Sequence, residues 1–136
     1  MGVSVWVGDD PVEIGTASFL KSFFSTVLVR LEDEEWGSRF PTIMRDFYSG
    51  RMSFERAEAA IAELETIHRM LKEYAPDQGV WDYEHRERRP PWEGNLSPSI
   101  RDLAGCFVTS WGKSLFNVLT EAFRQSSEKR QEIRIR

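Results

Sequence analysis

Apolar and polar positions along this chain change period several times, and the changes mark out its elements. Val3-Ser4-Val5-Trp6-Val7 reads as a strand, stopped by Gly8-Asp9-Asp10-Pro11, with a short extended piece at Val12, Glu13 and Ile14 after it. Ser18 then stands as an N-cap before Phe19, Leu20, Phe23, Phe24, Val27, Leu28 and Leu31, which recur at helical spacing. This first helix is very apolar and belongs at the centre of a core; it ends at Glu32-Asp33-Glu34-Glu35-Trp36-Gly37. A second, short helix opens on Pro41, runs through Met44, Phe47 and Tyr48, and stops at Gly50. Ser53 caps a third, whose stripe is Phe54, Ala57, Ala60, Ile61, Leu64, Ile67, His68 and Leu71. Its acids fall early and Arg69 and Lys72 late, in keeping with the helix dipole, and Pro76 closes it.

The second half is more broken. Val80-Trp81-Asp82-Tyr83 reads as another strand, and the Arg- and Pro-rich run to Asn95 as a loop. Ser97-Pro98 predicts an N-cap and first helical turn leading to Leu103, and Phe107-Val108-Thr109 a strand or its fringe. Leu115, Phe116, Leu119, Ala122 and Phe123 mark a last amphipathic helix. Glu132-Ile133-Arg134-Ile135-Arg136 alternates and predicts a terminal edge strand whose charges resist stray pairing. Together these predict one compact, helix-rich α+β domain over residues 1–136, with a small sheet built from N-terminal, middle and C-terminal strands.

Composition adds bounds to that picture. The chain has 136 residues, 40% of them hydrophobic and 12% aromatic, enough for a single core without staples. One cysteine, Cys106, excludes an intramolecular disulfide; it lies in Ala104-Gly105-Cys106-Phe107-Val108, which reads as core packing, so a buried thiol is favoured over a nucleophile. Such cysteine usage fits a reducing cytoplasm, and residues 1–10 do not resemble a signal peptide. The apolar run at residues 19–31 is interrupted by Lys21, Ser22, Ser25, Thr26 and Arg30, so no membrane span is expected. The net charge of −4 is uneven: the first 68 residues hold 12 acids and 6 bases, the last 68 hold 10 and 12. An acidic half argues against nucleic acid as partner and for a basic protein, whose encounter it would steer.

Little of the sequence points to catalysis. His68 lies on an apolar stripe and His85 among Glu84, Arg86, Glu87 and Arg88, so neither suggests a zinc set, and no cofactor is expected. Nucleophile elbows, phosphate-binding loops and dinucleotide fingerprints are missing. Carboxylates at Asp9, Asp10 or Asp82 leave a small carboxylate-dependent enzyme as an alternative, and an adaptor for some other protein as another. The stronger signal is acid beside aromatic. Glu32, Asp33, Glu34 and Glu35 run directly into Trp36, and Trp92 with Glu93 follows the stiffening pair Pro90-Pro91. An aromatic anchor with a charged rim suits a binding hot spot, so these seven residues are the candidate partner contacts. For Trp81, a place folded back over one end of the sheet is the simpler expectation.

The same stretches carry a resemblance. Gly15, Ser18-Phe19-Leu20, Ser22-Phe23-Phe24-Ser25-Thr26-Val27, Trp36-Gly37-Ser38-Arg39-Phe40-Pro41, Glu63-Leu64-Glu65, Val80-Trp81-Asp82, Pro90-Pro91-Trp92, Asn95, Ser97, Phe107-Val108-Thr109-Ser110, Leu115 and Leu119 come in an order that resembles bacterial immunity protein family 70 of polymorphic toxin systems. The basic loop at residues 83–89 and the arginine-rich tail at residues 129–136 depart from that pattern. The resemblance implies a cytosolic antidote that binds a cognate toxin domain and blocks its active site or productive conformation. It implies no catalytic residue, and it leaves the toxin's identity and the oligomeric state open.

Overall fold

The computed structural model describes residues 2–136. Strands β1 (Gly2–Val7) and β2 (Asp10–Thr16) form an antiparallel hairpin, closed through Gly8 at φ +58°, where glycine carries no steric penalty. Alternation puts Val5 and Val7 of β1 into the core and leaves Trp6 half-buried on the other face. A register shift after Val3 leaves Ile14 without a partner in the ladder, and its side chain is fully buried.

Helix α1 (Ala17–Thr26) follows at once. Its cap is Thr16, whose hydroxyl accepts from the Phe19 N–H at 3.0 Å, so the predicted cap at Ser18 is corrected by two residues. Ser18 lies inside the helix and exposed. The helix continues as a π-helical segment, Val27–Leu31, and a second π-helical segment spans Thr42–Phe47 after Pro41. The Glu63 carboxylate caps that second segment by accepting from Thr42 N–H at 3.1 Å and Ile43 N–H at 2.8 Å.

Strand β3 (Arg51–Met52) comes next, then Ser53, whose hydroxyl accepts from Glu55 N–H as predicted. A 3₁₀ turn (Phe54–Arg56) leads into α2 (Ala57–Leu71), with Ala57, Ala60, Leu64, Ile67 and Leu71 buried along one stripe. Helix α3 (Leu115–Lys129) buries Leu115, Phe116, Leu119, Ala122 and Phe123 between α2 and β1. The core is dominated by phenylalanine edges: Phe23 meets Phe107 at 5.7 Å and Phe116 at 5.8 Å, and Phe47 meets Phe123 at 5.1 Å. His68 stacks flat on Phe116 at 4.2 Å, and burial pulls its pKa below the ordinary 6.5.

The chain ends in β4 (Ile133–Ile135), antiparallel to both β1 and β3, giving the order β2-β1-β4-β3. This is the α+β arrangement expected, with strands from the N-terminal, middle and C-terminal parts. Three details differ. The C-terminal strand is interior rather than an edge, because β3 covers its far side. The middle strand is Arg51–Met52, not residues 80–83. That second segment lies instead along α1, where the Thr26 hydroxyl accepts from Val80 N–H at 3.0 Å and donates to the Val80 carbonyl at 3.2 Å. The Ser25 hydroxyl takes Tyr83 N–H at 3.1 Å. Helix hydroxyls thus replace a strand partner. Finally, residues 97–103 form turns, not a helix; the 3₁₀ turn comes later, at Ala104–Cys106, and Val108 makes only an isolated bridge to Ser114.

Candidate functional site

The acidic run lies where α1's π-helical extension ends, and its first residue behaves unlike the other three. Glu32 is only 2% exposed. One carboxylate oxygen accepts from Gly37 N–H at 3.0 Å, the other from Arg39 and Phe40 N–H, both at 3.0 Å. Three backbone donors on one buried carboxylate staple residues 37–40 to the helix end. Glu32, expected as a partner contact, therefore belongs to the interior.

Asp33 and Glu34 follow with φ +50° and +65°, two successive non-glycine residues in the left-handed region. Each costs about 1–2 kcal/mol. The turn is held by Glu34 N–H on the Leu28 carbonyl at 2.9 Å and Glu35 N–H on the Glu32 carbonyl at 2.9 Å. The result is that Asp33, Glu34 and Glu35 all stand exposed on a rigid corner, bracketed in sequence by the two π-helical segments. Both π-helical turns and stored backbone strain concentrate at functional positions.

Trp36 is half-buried beside this corner. Its ring meets Tyr48 at 4.6 Å and Tyr83 at 5.3 Å, and its indole N–H donates to the Met44 carbonyl. Tyr48 is 40% exposed and sits edge-on to Phe24 at 4.9 Å. Beyond Tyr48 a shallow groove of about 330 Å³ is lined by Val3, Leu20, Phe24 and Ile135, with Lys21 at its rim. Lys21 lies over the Tyr83 ring at 5.4 Å and pairs with Glu84 at 2.8 Å and Asp82 at 3.3 Å. Glu34 reaches Arg86 at 3.3 Å, tying the acidic run to the basic loop. The corner is thus Trp36 with the rings of Tyr48 and Tyr83 packed against it, edged by carboxylates. Tyr48, Tyr83 and Lys21 were not legible as members from spacing, because they come from three separate segments.

Trp92 and Glu93 lie in a different neighbourhood. Trp92 packs on Phe107 at 5.9 Å and Trp81 at 5.7 Å, half-buried, and Glu93 pairs with Arg89 at 2.6 Å in solvent. Trp81 is also half-buried and, with Trp92, borders Ile14 and Gly15 at the end of β2.

For the carboxylate chemistry considered above, the geometry is unfavourable. Asp9 and Asp10 are exposed at the hairpin turn. Asp82 accepts from Glu84 N–H, Lys21 and His85, which hold its carboxyl below the usual range; a general acid needs the opposite direction. Burial pushes the Cys106 thiol up to about 11, so it is a packed thiol and not a thiolate nucleophile. Among the described residues no three His, Cys, Asp or Glu side chains gather as a metal site would, and no helix is long and apolar enough to cross a membrane.

No curated protein and no solved structure matches the chain. A family model does, over residues 4–135, and its description is immunity protein 70. The match runs from β1 to β4 and takes in the buried Glu32 staple, the aromatic corner and every helix described above. On that extent the chain belongs to the immunity protein 70 family.

Proposed function

We propose that this protein neutralises a cognate bacterial toxin domain by binding it in the cytoplasm of the producing cell, without catalysis. Membership of an immunity protein family carries the reading, because such proteins act in toxin systems. The proposed contact surface is the corner formed by Asp33, Glu34, Glu35 and Trp36, joined by Tyr48 and Tyr83. Glu32 contributes by holding that corner in shape. Trp92 and Glu93, on their own proline-stiffened loop, form an outlying contact.

The mechanism is occlusion. Exposed carboxylates steer a basic toxin surface toward the corner and set its orientation, while the aromatic rings supply apolar contact area. A loop fixed by internal hydrogen bonds loses little entropy on engagement, which favours tight binding from a small surface. Co-expression with the toxin domain encoded next to this gene tests the function, scored by survival and co-purification. Survival with a stable one-to-one complex is expected. Survival without a complex, or no survival, contradicts neutralisation by binding.

A further inference from the structure

Among the described residues, the most exposed large apolar side chain is Trp111, at 73%, away from the acidic corner. It sits in a short turn closed by the bridge between Val108 and Ser114, with Gly112 at φ +78°. The turn runs along the free edge of β2: Ser110 N–H donates to the Ile14 carbonyl at 3.1 Å, and the Trp111 indole N–H donates to the Glu13 carboxylate at 2.7 Å. The ring is therefore held in place with its apolar surface in water. An immobilised aromatic of this kind is a ready interface anchor.

Next to the turn lies a groove of about 450 Å³ between the β1–β2 hairpin and α3. Val7, Val12, Val118 and Ala122 give it an apolar floor, and Lys113 of the turn shares its wall with Glu121. Val12 and Val108 are themselves exposed, so the apolar surface extends on both sides of the turn.

We propose that this face joins two copies of the chain across a two-fold axis, each Trp111 covering the groove of the other. An isologous interface needs knob and hole on one patch, which is what the turn and the adjoining groove provide. Charge selects the occupant. The groove's Asp10 and Glu121 pair with Lys129 and Arg124, and Glu13, which holds the Trp111 indole, is offset by Lys113, so three acids meet three bases here, whereas the chain as a whole carries −4. Between two identical acidic chains, a face whose own charges cancel is the one that adds no close-range repulsion to that of the net charge. Among the described residues Lys113 makes no ion pair within its own chain, and a two-fold brings it toward the partner's groove wall at Glu121. The face uses none of the acidic-corner residues, so each copy keeps that corner open to the toxin, while the outlying Trp92 lies beside Val108 and Ser110 at the margin of the face.

Sedimentation velocity over a wide concentration range tests this directly. The wild type is expected to show a reversible monomer–dimer equilibrium, and Trp111→Ala to weaken it by about thirtyfold or more. Because Trp111 is so exposed, that variant folds, as its circular dichroism would confirm. Lys113→Glu and Glu121→Lys should each weaken the dimer and, combined, restore it. A monomer at every concentration, a dimer indifferent to Trp111→Ala, or no recovery in the double variant overturns the proposal. So does a monomeric wild type whose toxin capture is lost with Trp111→Ala, which would assign the face to the toxin.

Discussion

Replacing Glu32 by alanine or glutamine separates a structural carboxylate from a surface one. In the native chain one buried carboxylate accepts three backbone N–H groups, from Gly37, Arg39 and Phe40, all at 3.0 Å. Hydrogen bonds to a charged group contribute about 1.5–3 kcal/mol each, and a stranded buried donor costs about 1–3 kcal/mol. Alanine leaves three donors stranded, partly relieved by water entering the space, so a loss of about 3–4 kcal/mol is expected. Glutamine keeps the shape and one oxygen acceptor. That oxygen can serve Arg39 and Phe40, but the amide NH₂ then faces Gly37 N–H, donor against donor, for a loss of about 2 kcal/mol. Urea unfolding measures both. With a slope of about 2 kcal/mol/M, the midpoint should fall by about 1 M for glutamine and about 1.5–2 M for alanine, with the slope unchanged. A Glu32→Gln protein within about 0.5 kcal/mol of wild type would mean that the three contacts carry no net stability, contrary to this expectation.

Three further outcomes follow from the same geometry. Glu34→Gly should stabilise the fold by about 0.5–1 kcal/mol in thermal or urea unfolding, because glycine accepts φ +65° freely, while weakening toxin binding by removing a contact. Stability should fall as pH drops below 6.5, the ordinary histidine value: burial holds His68 below it, so in that window the unfolded chain binds the extra proton and the folded one does not. His68→Phe should flatten that part of the stability–pH curve. Cys106, with its thiol raised to about 11 and buried, should resist a thiol-specific reagent at pH 8 in native protein and react fully once denatured.

How much was legible beforehand depended on where each residue's partners lie. Helices α1, α2 and α3 were readable because their burial depends on spacing within one segment, as with Ala57, Ala60, Leu64, Ile67 and Leu71. Residues 80–83 looked like a strand because their composition is strand-like, but their backbone partners are the hydroxyls of Ser25 and Thr26, more than 50 positions away. The placement of β4 failed as an edge for the same reason: two residues, Arg51 and Met52, cover it from mid-chain. Glu32 was indistinguishable from its acidic neighbours, since only the return of residues 37–40 decides which carboxylate turns inward. Acid beside Trp36 is readable in the sequence itself, whereas Tyr48 and Tyr83 join that corner only through tertiary packing. Trp111 has only a weak local signal, a glycine directly after it in a polar stretch, which suits a turn but does not separate it from the half-buried Trp36 before Gly37.

We propose the acidic, aromatic corner as the surface that holds a toxin. That assignment is tested by the affinity and association rate of the purified chain for its cognate toxin domain, as a function of salt, beside a variant carrying Asp33→Lys, Glu34→Lys and Glu35→Lys. All three side chains are exposed, so the variant's fold should survive, as unfolding curves would verify. Reversal is expected to lower the association rate about tenfold or more at low salt and to remove most of its salt dependence. Unchanged rates, affinity and salt slope in a folded variant would place the toxin elsewhere on the molecule and contradict it.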